Sequence, residues 1–217
     1  MGRGSSSAGG GVGKYGGGMV GGRGDTGVTV KSSQPLTKSI GAGGGNYANE
    51  IMNTRDAMER EYGSAVKELN LHTAKFNSPS ILGAYGQNTL YMNDRYIKNP
   101  NLTEAMKEAE KTGFHPKIGK RTGAEAVTAH EIGHKLGETA AQRAGISERQ
   151  IVERAAKKLG IKTENMGGHI SSYARYNYSE TIAEASSDVY CNGNRANKVS
   201  RAIMQEVKDI LKKQGAK

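Results

Sequence analysis

The stretch His130-Glu-Ile-Gly-His134 decides the fold of this chain. Its two histidines are four residues apart, a little over one helical turn, so both rings of a helix would leave the same face. Two neutral imidazoles placed in this way can reach one zinc ion, with Zn–N distances of about 2.0 Å. Glu131 is rotated away from that line and can take a proton from a water molecule at the metal. The stretch therefore predicts a zinc-binding helix in which Glu131 acts as the base.

The flanking residues predict where this helix begins and ends. Thr122-Gly-Ala-Glu125 has the form of a capping box, and Gly145 suits a C-terminal stop. The helix between them is rich in alanine, which favours helix and leaves room for close packing. The alternative interpretation is a helix with two hydrogen-bonded or surface histidines and no metal.

Composition predicts one basic domain after a glycine-rich N-terminal segment. The chain has 217 residues, a net charge of +10 and the single cysteine Cys191, so an internal disulfide cannot form. We expect residues 1–45 to be a disordered Gly/Ser-rich tail, because such a composition buries too little apolar surface to offset its ordering entropy. Residues 46–217 would form the domain. The basic charge predicts weak association with nucleic acid, and plain solubility is the alternative.

Other patterns predict the remaining elements. Residues 47–69 have a helical apolar period, and residues 71–98 predict short strands with a hairpin turn at Gly86-Gln-Asn88. We expect the segment Tyr85–Asn93 to lie near the cleft, because an exposed edge strand can hold an extended peptide. Three further helices are predicted, over residues 103–111 with Thr103 as cap, 147–159 with Ser147 as cap, and 196–213. We expect neither a membrane span, because no run of about 18 apolar residues occurs, nor a signal peptide, because the N-terminal residues have no apolar core.

Two histidines leave a catalytic zinc one protein ligand short, because such a site normally has three ligands and an open position. The metzincin pattern requires a third histidine where this chain has Ala140. Glu180, Glu184 and Asp188 instead repeat every four residues on a helix that Ser179 would cap. One helix face thus carries three candidate carboxylates, and the alternative is a solvated acidic face. His72 and His115 are expected to be surface or hydrogen-bonded histidines rather than ligands.

The order His130-Glu-Ile-Gly-His134, then Tyr173-Ala, then Glu180-Thr-Ile-Ala-Glu184-Ala resembles the gluzincin-type zinc metallopeptidases. It is most like the anthrax-lethal-factor-like branch and its relatives in phage and mobile-element proteins. In that branch an aromatic residue precedes a Glu-x-x-Ala-Glu helix by seven positions. The resemblance covers about residues 120–190, and Lys135 departs from the uncharged residue that is usual after the second histidine.

The resemblance implies an α+β, zincin-like metallopeptidase domain with a small sheet, the His-Glu-x-x-His helix and a helical C-terminal half. It implies that Glu180 is the third zinc ligand, with Glu184 as the alternative for that role. If Glu180 is the ligand, Glu184 would orient a ligand histidine or the metal, and we expect Asp188 to act in the same way. Tyr173 would donate a hydrogen bond to the oxyanion. Its rivals for that role are Tyr176 and Tyr178.

The expected function is a zinc-dependent endopeptidase, encoded by a phage or mobile element, that hydrolyses a protein or peptide substrate through a metal-activated water. Its expected location is cytoplasmic or virion-associated. The alternative is a phage or mobile-element structural or DNA-associated protein with a non-catalytic zinc site. In that alternative a fourth protein ligand, His169, Glu184 or Asp188, would close the coordination, and DNA binding would depend on salt.

Overall fold

The computed structural model describes residues 13–15, 28–39, 45–97 and 101–214 of the chain. Within these ranges the fold is α+β, with a small mixed sheet in the N-terminal half and helices in the C-terminal half, as the sequence predicts. The strands are β1 (Gly13–Tyr15), β2 (Val28–Pro35), β3 (Asn70–Phe76), β4 (Gly83–Gly86) and β5 (Thr89–Asn93). The helices are α1 (Leu36–Ser39), α2 (Gly45–Tyr62), α3 (Ser64–Lys67), α4 (Leu102–Lys111), α5 (Gly123–Ala144), α6 (Glu148–Leu159), α7 (Tyr178–Asn192) and α8 (Lys198–Gln214).

The strand order is β1-β2-β3-β5-β4, so β4 lies at one edge of the described sheet. β3 pairs with β5 in parallel, whereas the other neighbours pair antiparallel. Gln87 and Asn88 join β4 to β5, and both have positive φ values, 52° and 55°. Such φ values at both central positions are typical of a two-residue hairpin turn, which confirms the turn predicted from the sequence.

β2 extends the domain upstream of the predicted boundary at residue 46. Val28 and Val30 are buried, and β2 pairs antiparallel with β3. The short alternation Val28-Thr-Val30 suffices to place a strand in the sheet, although the surrounding residues are glycine-rich. Apart from residues 13–15, 28–39 and 45, the predicted tail lies outside the described residues.

β5 shows how both faces of the sheet are covered. All five of its residues are buried. Leu90 and Met92 belong to the main core, to which α5 also contributes. Tyr91 packs on the opposite face, in a second cluster that includes Phe76 and Tyr173. This second cluster connects the sheet to the tyrosine that the sequence assigns to the site.

Helix ends agree with the sequence in some places and differ in others. Thr122 forms the predicted capping box of α5, and Ser147 is the predicted cap of α6, where it also forms a capping box. Gly145 caps the end of α5 with a left-handed φ of 62°. The helix predicted over residues 47–69 is interrupted at Gly63, where φ is 65°. α4 begins after Asn101, and the hydroxyl of Thr103 accepts a hydrogen bond from the first residue of α5 instead.

α5 and α7 pack with their backbones unusually close together. A Cβ atom at Gly133 would lie 2.7 Å from the Ala183 Cα, so the contact depends on glycine. The Ser186 hydroxyl of α7 donates a 2.8 Å hydrogen bond to the Ala129 carbonyl of α5.

In the described ranges, no helix combines the length and the apolar composition that a bilayer crossing requires.

Candidate metal centre

His130 and His134 lie in the middle of α5, on the face that meets α7. Their ring centroids are 5.0 Å apart, as expected for residues separated by one turn. His130 is fully buried and His134 is 5% exposed, so neither ring is a surface group. The prediction that the motif lies inside a buried helix is confirmed.

α7 supplies the third side chain of the group. Its N-cap is Asn177, whose side chain accepts a 2.8 Å hydrogen bond from the Glu180 backbone N–H, so the predicted cap at Ser179 is wrong. Glu180 then turns its carboxylate towards α5. Its Oε2 lies 3.2 Å from the Nε2 atom of His130 and 3.4 Å from the Nε2 atom of His134.

These three atoms face one point and are poor hydrogen-bond partners for one another. His130 Nε2, His134 Nε2 and Glu180 Oε2 are all buried, and none has a hydrogen bond of acceptable geometry. Their ligand atoms lie within 4.8 Å of one another, so the group could hold a metal ion. Buried polar atoms normally have partners, and a cation between the three atoms would supply one. Two imidazole nitrogens and a carboxylate oxygen are a donor set that suits zinc.

Glu184 lies behind His130 rather than at the shared point. Its Oε1 is 2.8 Å from the Nδ1 atom of His130, on the side of the ring away from Glu180. Ser171 donates a 2.7 Å hydrogen bond to Oε2, and the Nδ1 atom of His115 lies 3.1 and 3.2 Å from the two oxygens. Burial favours a higher pKa for Glu184, but His115 and His130 outweigh it and lower the pKa to about 2. This arrangement favours Glu180 over Glu184 as the ligand.

His134 is supported by a different chain of contacts. Its Nδ1 atom lies 2.9 Å from the hydroxyl of Ser179, and that hydroxyl donates to Oε1 of Glu148 at 3.2 Å. Glu148 is the first residue of α6 and is half-buried. Burial raises the pKa of Glu148, and His134 works in the opposite direction. Ser179 therefore contacts a histidine of the candidate metal group instead of capping the helix.

Glu131 and Tyr173 flank the group. Glu131 is fully buried, and β4 crosses it so closely that a Cβ at Gly83 would lie 3.1 Å from Glu131 Oε1. The ring of Tyr173 stacks near His130, with centroids 6.0 Å apart. Burial, followed by the nearby charges of Glu180 and Glu131, raises the pKa of Tyr173 above its ordinary value. Tyr173 therefore keeps its hydroxyl proton at neutral pH.

The two rival tyrosines make ring contacts with residues outside the group. Tyr176 is 55% exposed and packs against Tyr173 with centroids 5.3 Å apart. Tyr178 begins α7, and the guanidinium of Arg149 lies 5.8 Å from its ring centroid. Tyr173 is the tyrosine whose ring is seen stacked near a histidine of the candidate metal group.

Asp188 and His169 lie away from the three ligand atoms. The carboxylate of Asp188 accepts hydrogen bonds from the Asn192 side chain and the Asn197 backbone N–H, both at 2.9 Å. Asp188 is two turns beyond Glu180, about 12 Å along the helix axis. It secures the turn before α8, so grouping it with Glu184 is wrong. His169 is exposed, and its carbonyl accepts a hydrogen bond from Asn197.

A cleft of about 610 Å³ opens beside His134. Tyr85 and Gln87 of the β4–β5 hairpin line one side of it, and Glu138 and Glu148 line the other. The Tyr85 hydroxyl donates a 2.7 Å hydrogen bond to Glu138 across the opening. The prediction that this hairpin lies near the cleft is confirmed at its β4 end.

Three supporting residues were not assigned a role from the sequence: His115, Ser171 and Glu148. His115 was predicted to be hydrogen-bonded, which is correct, but its partner Glu184 is 69 residues away. No local pattern indicates such a contact. For Glu148, the sequence shows only an acidic residue in the first turn of a capped helix. That position is explained by a favourable interaction with the helix dipole and does not indicate a contact with the site.

Comparisons with protein-family models, curated proteins and solved structures found no match for this chain. The resemblance to gluzincins therefore stays a prediction, as do the fold family and the activity that it implies. The functional argument rests on the buried His130–His134–Glu180 group and on the residues around it.

Proposed function

We propose that the protein is a zinc-dependent endopeptidase. The observation that carries this proposal is the convergence of His130 Nε2, His134 Nε2 and Glu180 Oε2, three buried atoms without hydrogen-bond partners. A structural zinc is usually closed by four protein ligands, whereas a catalytic zinc keeps one position open. A group of three ligands next to a cleft fits the second type.

The surrounding side chains suit peptide hydrolysis. A bound zinc ion would supply Lewis acidity and activation of water. Glu131, the neighbour of His130 on α5, can accept a proton and pass it to the leaving amine. Tyr173 is protonated at neutral pH and can donate a hydrogen bond to the carbonyl oxygen that becomes negatively charged. Each role belongs to a residue packed against the three-ligand group.

The position of β4 suggests how a substrate would be held. β4 pairs with β5 on one side and ends the described strand order, and it crosses α5 at Glu131. An extended peptide could add to this edge through main-chain hydrogen bonds, which would lay its backbone along the metal group. Such binding is typical of enzymes that cut within a chain, because it does not require a chain terminus.

The test is digestion of a diverse peptide mixture by the zinc-loaded protein, read by mass spectrometry. Wild-type protein should cut peptides at internal bonds. Glu131→Gln should retain zinc, measured by elemental analysis, and lose about 10²–10⁴-fold of the rate because the base is removed. Equal cutting by both proteins would exclude Glu131 as the base.

The second candidate is a protein with a non-catalytic zinc site. The depth of the group favours this candidate, since His130 is fully buried and Glu180 is 3% exposed. Absence of cutting by zinc-loaded wild-type protein, together with a zinc absorption spectrum that shows four protein donors, would establish it in place of the peptidase.

A further inference from the structure

His115 lies at the centre of a buried contact network that the proposed chemistry does not use. The side chains of His115, Ser171 and His130 all contact the carboxylate of Glu184. The exposed fractions of the four residues range from 0% to 6%. Bulk water therefore has little access to Glu184, and these protein groups supply hydrogen bonds to both of its carboxylate oxygens.

A buried carboxylate costs free energy unless donors surround it. His130 offers Glu184 a single donor, Nδ1–H, because its other nitrogen faces the shared point of the metal group. His115 Nδ1 lies nearly equally far from both carboxylate oxygens, at 3.1 and 3.2 Å. Together with Ser171, His115 thus fixes the plane of the carboxylate so that Oε1 faces His130.

The backbone holds His115 in place from the other side. The segment before it pairs with the segment that carries Tyr173, through Ser172 N–H to Gly113 O at 2.9 Å and Tyr173 N–H to Phe114 O at 3.1 Å. The His115 ring meets the Tyr173 ring edge to face, with centroids 5.3 Å apart. One histidine therefore contacts both the carboxylate behind a ligand and the tyrosine beside it.

We propose that His115 is a positioning residue of the metal centre, which acts through Glu184 to hold the ring of His130 with Nε2 towards the metal. The inference rests on the proposed metal site but not on peptidase activity. Partners of ligand histidines orient the ring and raise its basicity, and their loss typically lowers metal affinity about 10–100-fold.

Zinc affinity of the full chain, measured by competition with a chelating dye, tests this inference. His115→Phe keeps an aromatic ring but removes the donor, and it should weaken zinc binding about 10–100-fold. His115→Asn places an amide N–H near the position of Nδ1 and should restore much of the affinity. His72→Phe, which removes a half-buried histidine from β3, is the matched control and should bind zinc like wild type.

The pattern across these variants separates positioning from simple packing. A packing role would make Phe the better replacement and Asn the worse one, which is the reverse of the expected order. Wild-type affinity in His115→Phe, or no zinc binding by wild type, would overturn the inference. If His115→Phe does not fold, His115→Leu, which matches asparagine in size but has no donor, takes its place. Zinc affinity in His115→Leu equal to that of His115→Asn would then overturn the inference.

Zinc binding that follows this order without any peptide cutting would support the role of His115 and count against the endopeptidase. Cutting by wild type with unchanged zinc affinity in His115→Phe would do the opposite. The two proposals therefore fail separately.

Discussion

His130 and His134 present the same ring nitrogen to the same point, but their supports differ. The Nδ1 atom of His130 contacts a fully buried carboxylate, Glu184. The Nδ1 atom of His134 contacts a hydroxyl, Ser179, which leads to Glu148 at the wall of the cleft. The first level of the helix pair, around His130, is closed and places a carboxylate directly against the ring. The second level, around His134, reaches a carboxylate only through a hydroxyl and opens towards solvent.

A glycine occurs three residues after each histidine, and the two glycines differ in the same way as the histidines: one meets backbone and the other meets a side chain. A Cβ at Gly133 would lie 2.7 Å from Ala183 Cα, which is backbone and cannot move alone. A Cβ at Gly137 would lie 2.8 Å from Glu148 Oε1, the far end of a flexible side chain. The packing of α5 against α7 therefore leaves no space beside His130. Beside His134, on the side of the cleft, a side-chain rotation can make space.

The largest expected effect is the loss of stability at the rigid level. Gly133→Ala should lower the free energy of unfolding by about 3 kcal/mol, because overpacking would push α7 away from α5. Gly137→Ala should change it by less than about 1 kcal/mol, since Glu148 can rotate and alanine favours helix. Urea denaturation of the metal-free proteins measures both. Equal losses would mean that the two levels are equally rigid.

A smaller effect is expected on zinc affinity when each support is weakened. Glu184→Gln should lower the affinity about 10–100-fold, because an amide oxygen accepts the hydrogen bond of His130 without a negative charge. Ser179→Ala should lower it less than about 10-fold, because the lost partner is neutral. Competition with a chelating dye gives both values. A larger loss in Ser179→Ala would reverse the assignment of the stronger support.

The pH dependence of zinc binding should depend more on the contacts of His130 than on those of His134. Burial works to lower the pKa of His130, but the nearby carboxylates of Glu180 and Glu184 outweigh it and raise the pKa to about 10. In the metal-free protein this protonated ring stabilises the fold fully below its unfolded-state pKa, near 6.5, and the contribution is lost as pH rises towards about 10. Zinc must displace that proton, so its stabilising effect should grow with pH.

Thermal unfolding with zinc or with a chelator, at about pH 6.5 and about pH 7.5, measures this growth, which should approach about 1.4 kcal/mol for one proton. Glu184→Gln should reduce the pH dependence more than Ser179→Ala does, because the charged partner of His130 contributes to the raised pKa. A zinc-dependent shift that is the same at both pH values would exclude proton displacement from this ring.

The sequence predicted those parts of the site that depend on neighbouring residues. The capping box at Thr122 and the stop at Gly145 fix α5 because each acts within one helical turn. The start of α7 was mispredicted because Asn177 and Ser179 are both good caps, and only the contact of Ser179 with His134, 45 residues away, separates them. Spacing within α7 brought Glu180 to the site, but spacing alone could not exclude Asp188.

Long-range contacts account for what the sequence did not predict. His115 meets Glu184 only because backbone pairing brings residues 113–114 beside residues 172–173. β2 was missed because its two valines lie among glycine and polar residues. Its partner strand β3 is also distant in the sequence, since the nearest pairing, Pro35 with His72, joins residues 37 positions apart. In each case the deciding partner lies outside any window that local periodicity can cover.

The smallest expected effect concerns Glu148, which contacts the metal group only through Ser179. Glu148→Gln keeps the shape of the side chain and an oxygen that can accept from Ser179, so zinc affinity should change less than about threefold. Because Glu148 lines the cleft, the same substitution should alter KM for peptides more than kcat, and peptide kinetics with zinc-loaded protein measure both. The contrary result is a fall in kcat and in zinc affinity as large as that of Glu184→Gln. It would show that the contacts of His134 support the metal group as strongly as those of His130, so that the two levels do not differ.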